Sequence, residues 1–200
     1  MTNSAVYPKG KTTAEKILDA AFASIATHGC GSVTLRGIAK EAGVALSQLS
    51  YYYGNKESLF VAVLKRMQED YASELIQRLQ KTGSVSQQIK ELIEYNKYIL
   101  TDRPETYRNF LEFFNVAMSS ATFRTHVDAF TTNIATIIEN RINYNELAKD
   151  VLGGCSPQVI TRFILSAAFG ISLQHLLNPE NQDILSGFTL MLAMLEKELD

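Results

Sequence analysis

Two cysteines in 200 residues, Cys30 and Cys155, supply neither a disulfide framework nor a metal-ligand spacing, and they fit a reducing compartment. The three histidines, His28, His126 and His175, are scattered along the chain. His28 and Cys30 are neighbours, but two potential donors without further partners make no metal site. No HExxH, CxxC, P-loop or nucleophile elbow occurs, so no catalytic residue, cofactor or metal is expected. Charged residues make up only 20% against 46% hydrophobic, too apolar a balance for extensive disorder. The opening MTNSAVYPKGK has no apolar run of the secretory kind, and the longest apolar patch, Phe163–Leu173, is short for a bilayer span. These absences lead to the expectation of a soluble cytoplasmic protein with no membrane partner. Strand-like alternation, repeats and low-complexity segments are missing as well. What is left is an all-α chain.

The most informative stretch is Thr34 to Phe60, TLRGIAKEAGVALSQLSYYYGNKESLF. Leu35, Ile38, Ala39 and Ala42 fall at helical spacing, so a first short helix has one apolar face. Thr34 is its natural N-cap, and Gly43 supplies the left-handed residue where it stops. Val44, Leu49 and Tyr52 read as the apolar anchors of a second short helix. Small Ala39 at the crossing, a glycine turn and an apolar wedge make a helix-turn-helix. Ala45, Leu46, Ser47, Gln48, Ser50 and Tyr51 point outward, as a face laid against base edges in a major groove must. Net charge is −2, but residues 1–60 carry six basic against four acidic side chains and the remainder is acidic on balance. That asymmetry permits DNA binding by one end of the chain.

With its flanks, from Lys11 through TLRGIAKEAGV, the tyrosine cluster and NKESLF, this stretch resembles the DNA-binding domain of the TetR family of bacterial transcriptional regulators. The resemblance implies a three-helix helix-turn-helix domain over 1–54, including a mobile arm over 1–11. It also implies a larger helical ligand-binding and dimerisation domain over 55–200. It places Thr34, Arg36, Tyr51, Tyr52 and Lys56 at or near phosphates. Arg36 has the alternative of lying across the groove edge, and Tyr52 and Tyr53 fit a core position better than a contact. Base reading falls to Ala45, Leu46, Ser47 and Gln48, with Gln48 the strongest single candidate because its amide pairs bidentately with adenine. The chain departs from the family twice: Ala45 stands where a serine usually caps the recognition helix, and Ser50 where a tyrosine usually follows Leu49.

Elsewhere the pattern is helix after helix. Thr12-x-x-Glu15 is a capping box opening a helix that Gly29 ends. Lys9 and Lys11 in the arm are within reach of a phosphate or groove. Asn55 caps a helix running to about Leu79, and Lys56 beside its N-terminus suits an anion. Gly83-Ser84 breaks the pattern and Ser86 starts the next helix. Pro104 restarts another as a first-turn proline. Asn143–Gly154 reads as a loop or frayed end. Ser156-Pro157 opens a helix that Asn178-Pro179 closes, and a last helix covers about Gln182–Leu199.

These last two helices are apolar nearly all round, as helices buried on two sides are. A second copy of the chain is the simplest cover, giving a two-fold four-helix bundle with Phe163, Ala167, Ile171, Ile184, Phe188, Met191 and Leu195 at the interface. Aromatic residues crowd residues 91–130, where Tyr95, Asn96, Tyr107, Phe110, Phe114, Met118, Phe123, His126 and Phe130 suit a pocket for an apolar or aromatic effector. The expected function is a homodimeric repressor that binds an inverted-repeat operator on double-stranded DNA and leaves when an inducer binds. The helix after Asn55 is the expected lever, and nucleoid association is expected only while DNA is held. The alternative is an activator, or a DNA-binding protein that recruits a partner without a small-molecule inducer.

Overall fold

The computed structural model describes residues 11–142 and 154–199, and among them nine helices and no strand. They are α1 Thr13–Ser32, α2 Leu35–Glu41, α3 Leu46–Tyr53, α4 Lys56–Leu79, α5 Val85–Asp102, α6 Pro104–Ser119, α7 Ala121–Arg141, α8 Pro157–Leu177 and α9 Gln182–Leu199. Lys9 with the rest of residues 1–10 of the expected arm, and 143–153 of the expected loop, lie outside the described residues. The chain forms two compact units, one ending at Val63 and one starting at Leu64. They divide inside α4, where the sequence reading set the boundary at residues 54 and 55. Leu59, Phe60 and Val63 in the first turns of α4 are buried.

The first unit is built on local hydrogen-bond rules. Thr12 and Glu15 close the reciprocal capping box at α1, with Thr12 N–H donating to Glu15 Oε2 at 2.7 Å. Lys11, expected in the arm, pairs with Asp19. Gly29, at φ 75°, kinks α1, and one further turn continues to Ser32. Thr34 Oγ1 accepts from Gly37 N–H at 3.1 Å and caps α2. Gly43, at φ 67°, reverses the chain, while Val44 N–H returns to Ala39 carbonyl at 2.9 Å. A Cβ at Gly43 would meet nothing within 4 Å, so glycine is required there by its backbone angle and not by space. Ile17, Ala21 and Ile25 of α1, Ile38 and Ala39 of α2 and Leu49 of α3 are buried. Two polar ties accompany them: Ser24 Oγ donates to Glu41 Oε2, and Tyr53 hydroxyl donates to Ala14 carbonyl at 3.0 Å.

The second unit is a helical bundle around Leu75, Ile89, Leu92, Tyr95, Ile138, Ile164, Ala168 and Phe188. Ser84 caps α5 by accepting from Gln87 N–H at 3.3 Å, so that helix starts at Val85. Pro104 opens α6, and Ser120 and Ser156 cap α7 and α8. Gly187 lets α9 close on α8, because a Cβ there would sit 2.9 Å from Ile171 Cδ1. An ionic cluster joins α4 to α5 and to the corner before α6. Arg78 reaches Glu91 at 3.0 Å and Glu74 at 3.2 Å, Arg103 also reaches Glu74, and both guanidiniums lie over the Tyr98 ring. Burial opposes the charge on Glu74, but hydrogen bonds from Arg103 and Arg78 outweigh it and hold the carboxyl below its ordinary range.

The 21-residue α8 is long and apolar enough to cross a membrane by length and composition, with an 18-residue window of mean hydropathy 1.4, although its apolar run Phe163–Leu173 is short for that. In this fold, Ile160, Ile164 and Ala168 pack it into the core of the second unit.

Candidate nucleic-acid interface and ligand cavity

Helix α3 hangs on one buried side chain, Leu49, at 0% exposure. Around it, Ala45, Leu46, Ser47, Gln48, Ser50 and Tyr51 are all exposed, Tyr51 at 84%. Thr34 and Arg36 on the neighbouring helix start are exposed too. Tyr52, expected as a core anchor, is 48% exposed and packs edge-on against Tyr51 at 5.4 Å. Tyr53 takes the inward position because it lies a full turn, i+4, beyond Leu49, and its hydroxyl reaches α1. Val44 is only half-buried. Lys56 is half-buried, with its ammonium 5.5 Å from the Phe60 ring centre.

Ala45 has no side chain to cap α3, and Gln48 compensates. Its Oε1 accepts from the Ala45 N–H at 3.0 Å, the N3-to-N-cap half of a capping box. The side chain expected from the sequence to read adenine therefore also holds the start of its own helix.

In the second unit, a cavity of about 310 Å³ opens between α4, α5, α6, α7 and α8. Its aromatic wall is Tyr71, Tyr107, Phe110, Phe114, Phe130 and Phe169. Phe110 packs against Phe130 at 5.2 Å and edge-on against Phe169 at 5.3 Å. At one side, Tyr107 hydroxyl donates to Asn96 Oδ1 at 3.0 Å, and Asn96 Nδ2 donates to Tyr71 hydroxyl at 3.1 Å and Leu92 carbonyl at 2.8 Å. That chain links α4, α5 and α6 through one buried amide. Burial pushes the Tyr107 hydroxyl up to about 12, against a hydrogen bond with Ser172 that lowers it, and burial raises Tyr71 as well. Both therefore stay neutral around pH 7.

Of the residues expected at a pocket, Asn96, Tyr107, Phe110, Phe114 and Phe130 line the cavity. Tyr95, Met118, Phe123 and His126 do not. Tyr95 is one residue round the helix from Asn96, and its ring packs on Tyr71 at 5.0 Å and under Arg78. Phe123 is buried against Phe113, His126 lies beside Phe123, and Met118 is exposed. The sequence reading missed Met67 and Tyr71 on α4, Ile99 on α5, Thr106 on α6, Thr131, Ile134 and Ala135 on α7, and Arg162, Leu165, Ser166 and Phe169 on α8. The last four follow i, i+3, i+4, i+7, a legible stripe, but spacing does not say what a stripe faces.

Another face of α8 forms an apolar groove with α9, lined by Val159, Phe163, Ala167, Ile171, Gly187, Leu190 and Met194, with Met191 and Leu195 buried beneath. Phe163, at 56% exposure, Leu190 and Met194 stand open on it. Phe188, expected at an intersubunit surface, is fully buried in its own core, as is most of Met191 and Leu195. Ile184 is half-buried. The reason is the helical period: 184, 188, 191 and 195 face inward, while 187, 190 and 194 face the groove.

Residues 17–63 match the profile of the bacterial regulatory proteins of the tetR family. The HTH-type transcriptional regulator BetI of Agrobacterium fabrum is 24% identical over 162 residues, covering 80% of this chain and 74% of that protein. BetI of Rhizobium meliloti is 26% identical over 108 residues, which is 54% of this chain and 53% of the relative. Among solved structures, the regulator FadR from Bacillus subtilis in complex with stearoyl-CoA superposes with a TM-score of 0.78 at 17% identity, covering 93% of this chain and 99% of that one. A putative regulator from Saccharomonospora viridis in complex with choline gives 0.76 at 14% identity, covering 92% and 95%.

Proposed function

We propose that this chain is a TetR-family transcriptional regulator with a helix-turn-helix, a cytoplasmic homodimeric repressor which binds an inverted-repeat operator and is released by a small apolar or aromatic inducer. The observation that carries the reading is the outward face of α3, where exposed small, polar and tyrosine side chains and Leu46 surround a single buried leucine. Such a helix has little to offer its own core and much to offer a groove. The phosphate contacts of this proposal are Thr34, Arg36, Ser50, Tyr51, Tyr52 and Lys56, and the base readers are Ala45, Leu46, Ser47 and Gln48.

The homodimer rests on the α8–α9 groove, whose open Phe163, Leu190 and Met194 form the kind of apolar face that a second copy covers. The inducer rests on the aromatic cavity. Helix α4 contributes Tyr71 to the cavity and supplies the chain link towards the helix-turn-helix, so a ligand that reorders the Tyr107–Asn96–Tyr71 chain acts on the helix proposed as the lever. The two ligand-bound structural neighbours hold chemically unlike molecules, a thioester and a quaternary ammonium, and so do not select a ligand class.

Selection of random duplex DNA on the purified protein tests the first part. One recovered inverted repeat is the expected result, with affinity falling linearly in log salt at a slope of about −0.9 per neutralised phosphate. Binding without sequence preference and without salt dependence would sink the proposal. A second test separates the two duties of Gln48. Gln48→Glu keeps an acceptor for the Ala45 N–H but loses the amide donor. Preference at one base step should therefore move from adenine towards cytosine, by on the order of 1–3 kcal/mol. Gln48→Ala should lose the same preference and weaken α3 as well. If every base preference survives Gln48→Glu, the assignment of Gln48 as a reader is wrong.

A further inference from the structure

The polar groups of the cavity are unequal. Asn96, Tyr107 and Tyr71 satisfy one another, and Thr131 Oγ1 donates to Asp128 carbonyl at 2.9 Å. Arg162 and Ser166 are different. They lie one turn apart on the cavity stripe of α8, and neither has a hydrogen bond or ion pair among the described residues. Arg78 and Arg103, which lie over aromatic rings in this unit, are both paired with carboxylates. Arg162 is exposed to solvent and lines the cavity at once, which puts it at the mouth. No aspartate or glutamate lines the cavity among the described residues.

We propose that the cavity takes small amphiphilic carboxylates, with Arg162 as the group that recognises the acid. This rests on the reading of the cavity as an inducer site. The guanidinium fork matches a carboxylate bidentately, and Ser166 on the same helix face adds a hydroxyl donor. The apolar body lies among Phe110, Phe114, Phe130 and Phe169, where its transfer from water supplies most of the affinity. A volume of about 310 Å³ stands at the small end of the ~300–1,000 Å³ of ligand pockets, which favours a medium-chain aliphatic or single-ring acid. An aromatic wall also attracts quaternary ammonium ions. Here the unpaired positive charge at the mouth and the lack of any lining carboxylate oppose a cation.

The test is calorimetric titration of the full chain with octanoate, octanamide and octyltrimethylammonium, with phenylbutyrate and its amide alongside to cover an aromatic body. Octanoate or phenylbutyrate is expected to bind at least roughly tenfold more tightly than its amide. Arg162→Gln should remove that difference while leaving the amide's affinity unchanged, and Arg162→Glu should turn the preference towards the ammonium. Acid and amide binding equally, or an acid preference that survives Arg162→Gln, overturns the acid class and leaves the cavity standing. The ammonium binding most tightly to the unsubstituted chain overturns it too. Failure of every probe to bind overturns both this proposal and the inducer site. Arg162 is exposed and outside the core, so a thermal melt of each variant should match the parent.

Discussion

Leu49→Ala is expected to abolish operator binding and to destabilise the amino-terminal unit by about 2–5 kcal/mol, the range for deleting a fully buried leucine side chain. The upper part of that range applies because α3 has no second buried residue to take over. A helix of eight residues is marginal on its own, and here its start lacks a side-chain cap and relies on the Gln48 amide. Truncating the side chain to a methyl removes the one fully buried anchor and leaves the half-buried Tyr53, with its bond to Ala14 carbonyl, to hold the end of the helix. Gel-shift titration reads the first effect, and denaturant unfolding followed by tyrosine fluorescence reads the second. The cavity lies wholly in the other unit, so ligand titration of the same variant should be unchanged. Full operator affinity in Leu49→Ala would mean that α3 is not the recognition element.

Phe163→Arg is expected to convert the proposed dimer to a monomer while leaving each protomer folded. The side chain is 56% exposed in the single chain, so the substitution costs the protomer little. In a dimer closed over the α8–α9 groove, the two-fold repeats the residue and buries two unpaired charges. An uncompensated buried charge costs about 3–5 kcal/mol, which is roughly two to three and a half orders of magnitude in dissociation constant for each. Sedimentation at micromolar concentration should show one species of half the mass, and operator binding should fall because one half-site no longer supports the other. Phe188→Ala is the informative contrast: it removes a ring from the core and should lower the melting temperature of the protomer first. A dimer that survives Phe163→Arg would put the subunit contact elsewhere on the molecule.

The helix ends were the most legible part of this chain. Thr12, Thr34, Asn55 and Ser156 cap where their side chains say they should, because a cap is a contact over three residues and needs no tertiary partner. Gly29 and Gly43 were legible for the same reason, each at positive φ where a helix stops or kinks. The start of α5 was misplaced by one residue, Ser86 in place of Val85, because Ser84, read as part of the break, is the cap that accepts from the third residue on. Tyr52 and Tyr53 were harder. Adjacent tyrosines beyond a buried leucine are both within the apolar arc of a helix, and the Ala14 carbonyl on α1 selects Tyr53.

The sequence by itself determined that the described residues form helices and no strand, where most of those helices begin, and that one short helix presents a polar outward face. All of these follow from interactions within a turn or two of chain. Only the tertiary structure decided what each side of α8 and α9 is for. Helix α8 is apolar nearly all round because it meets three surroundings: the core through Ile160, Ile164 and Ala168, the cavity through Leu165 and Phe169, and the open groove through Phe163 and Ala167. Hydrophobic attraction is non-directional, so a leucine or phenylalanine carries the same residue-level signal in a core, in a binding site or on a face awaiting a partner. The packing of neighbouring helices supplies the distinction, and with it the placement of Phe188 inside and Arg162 at the cavity mouth.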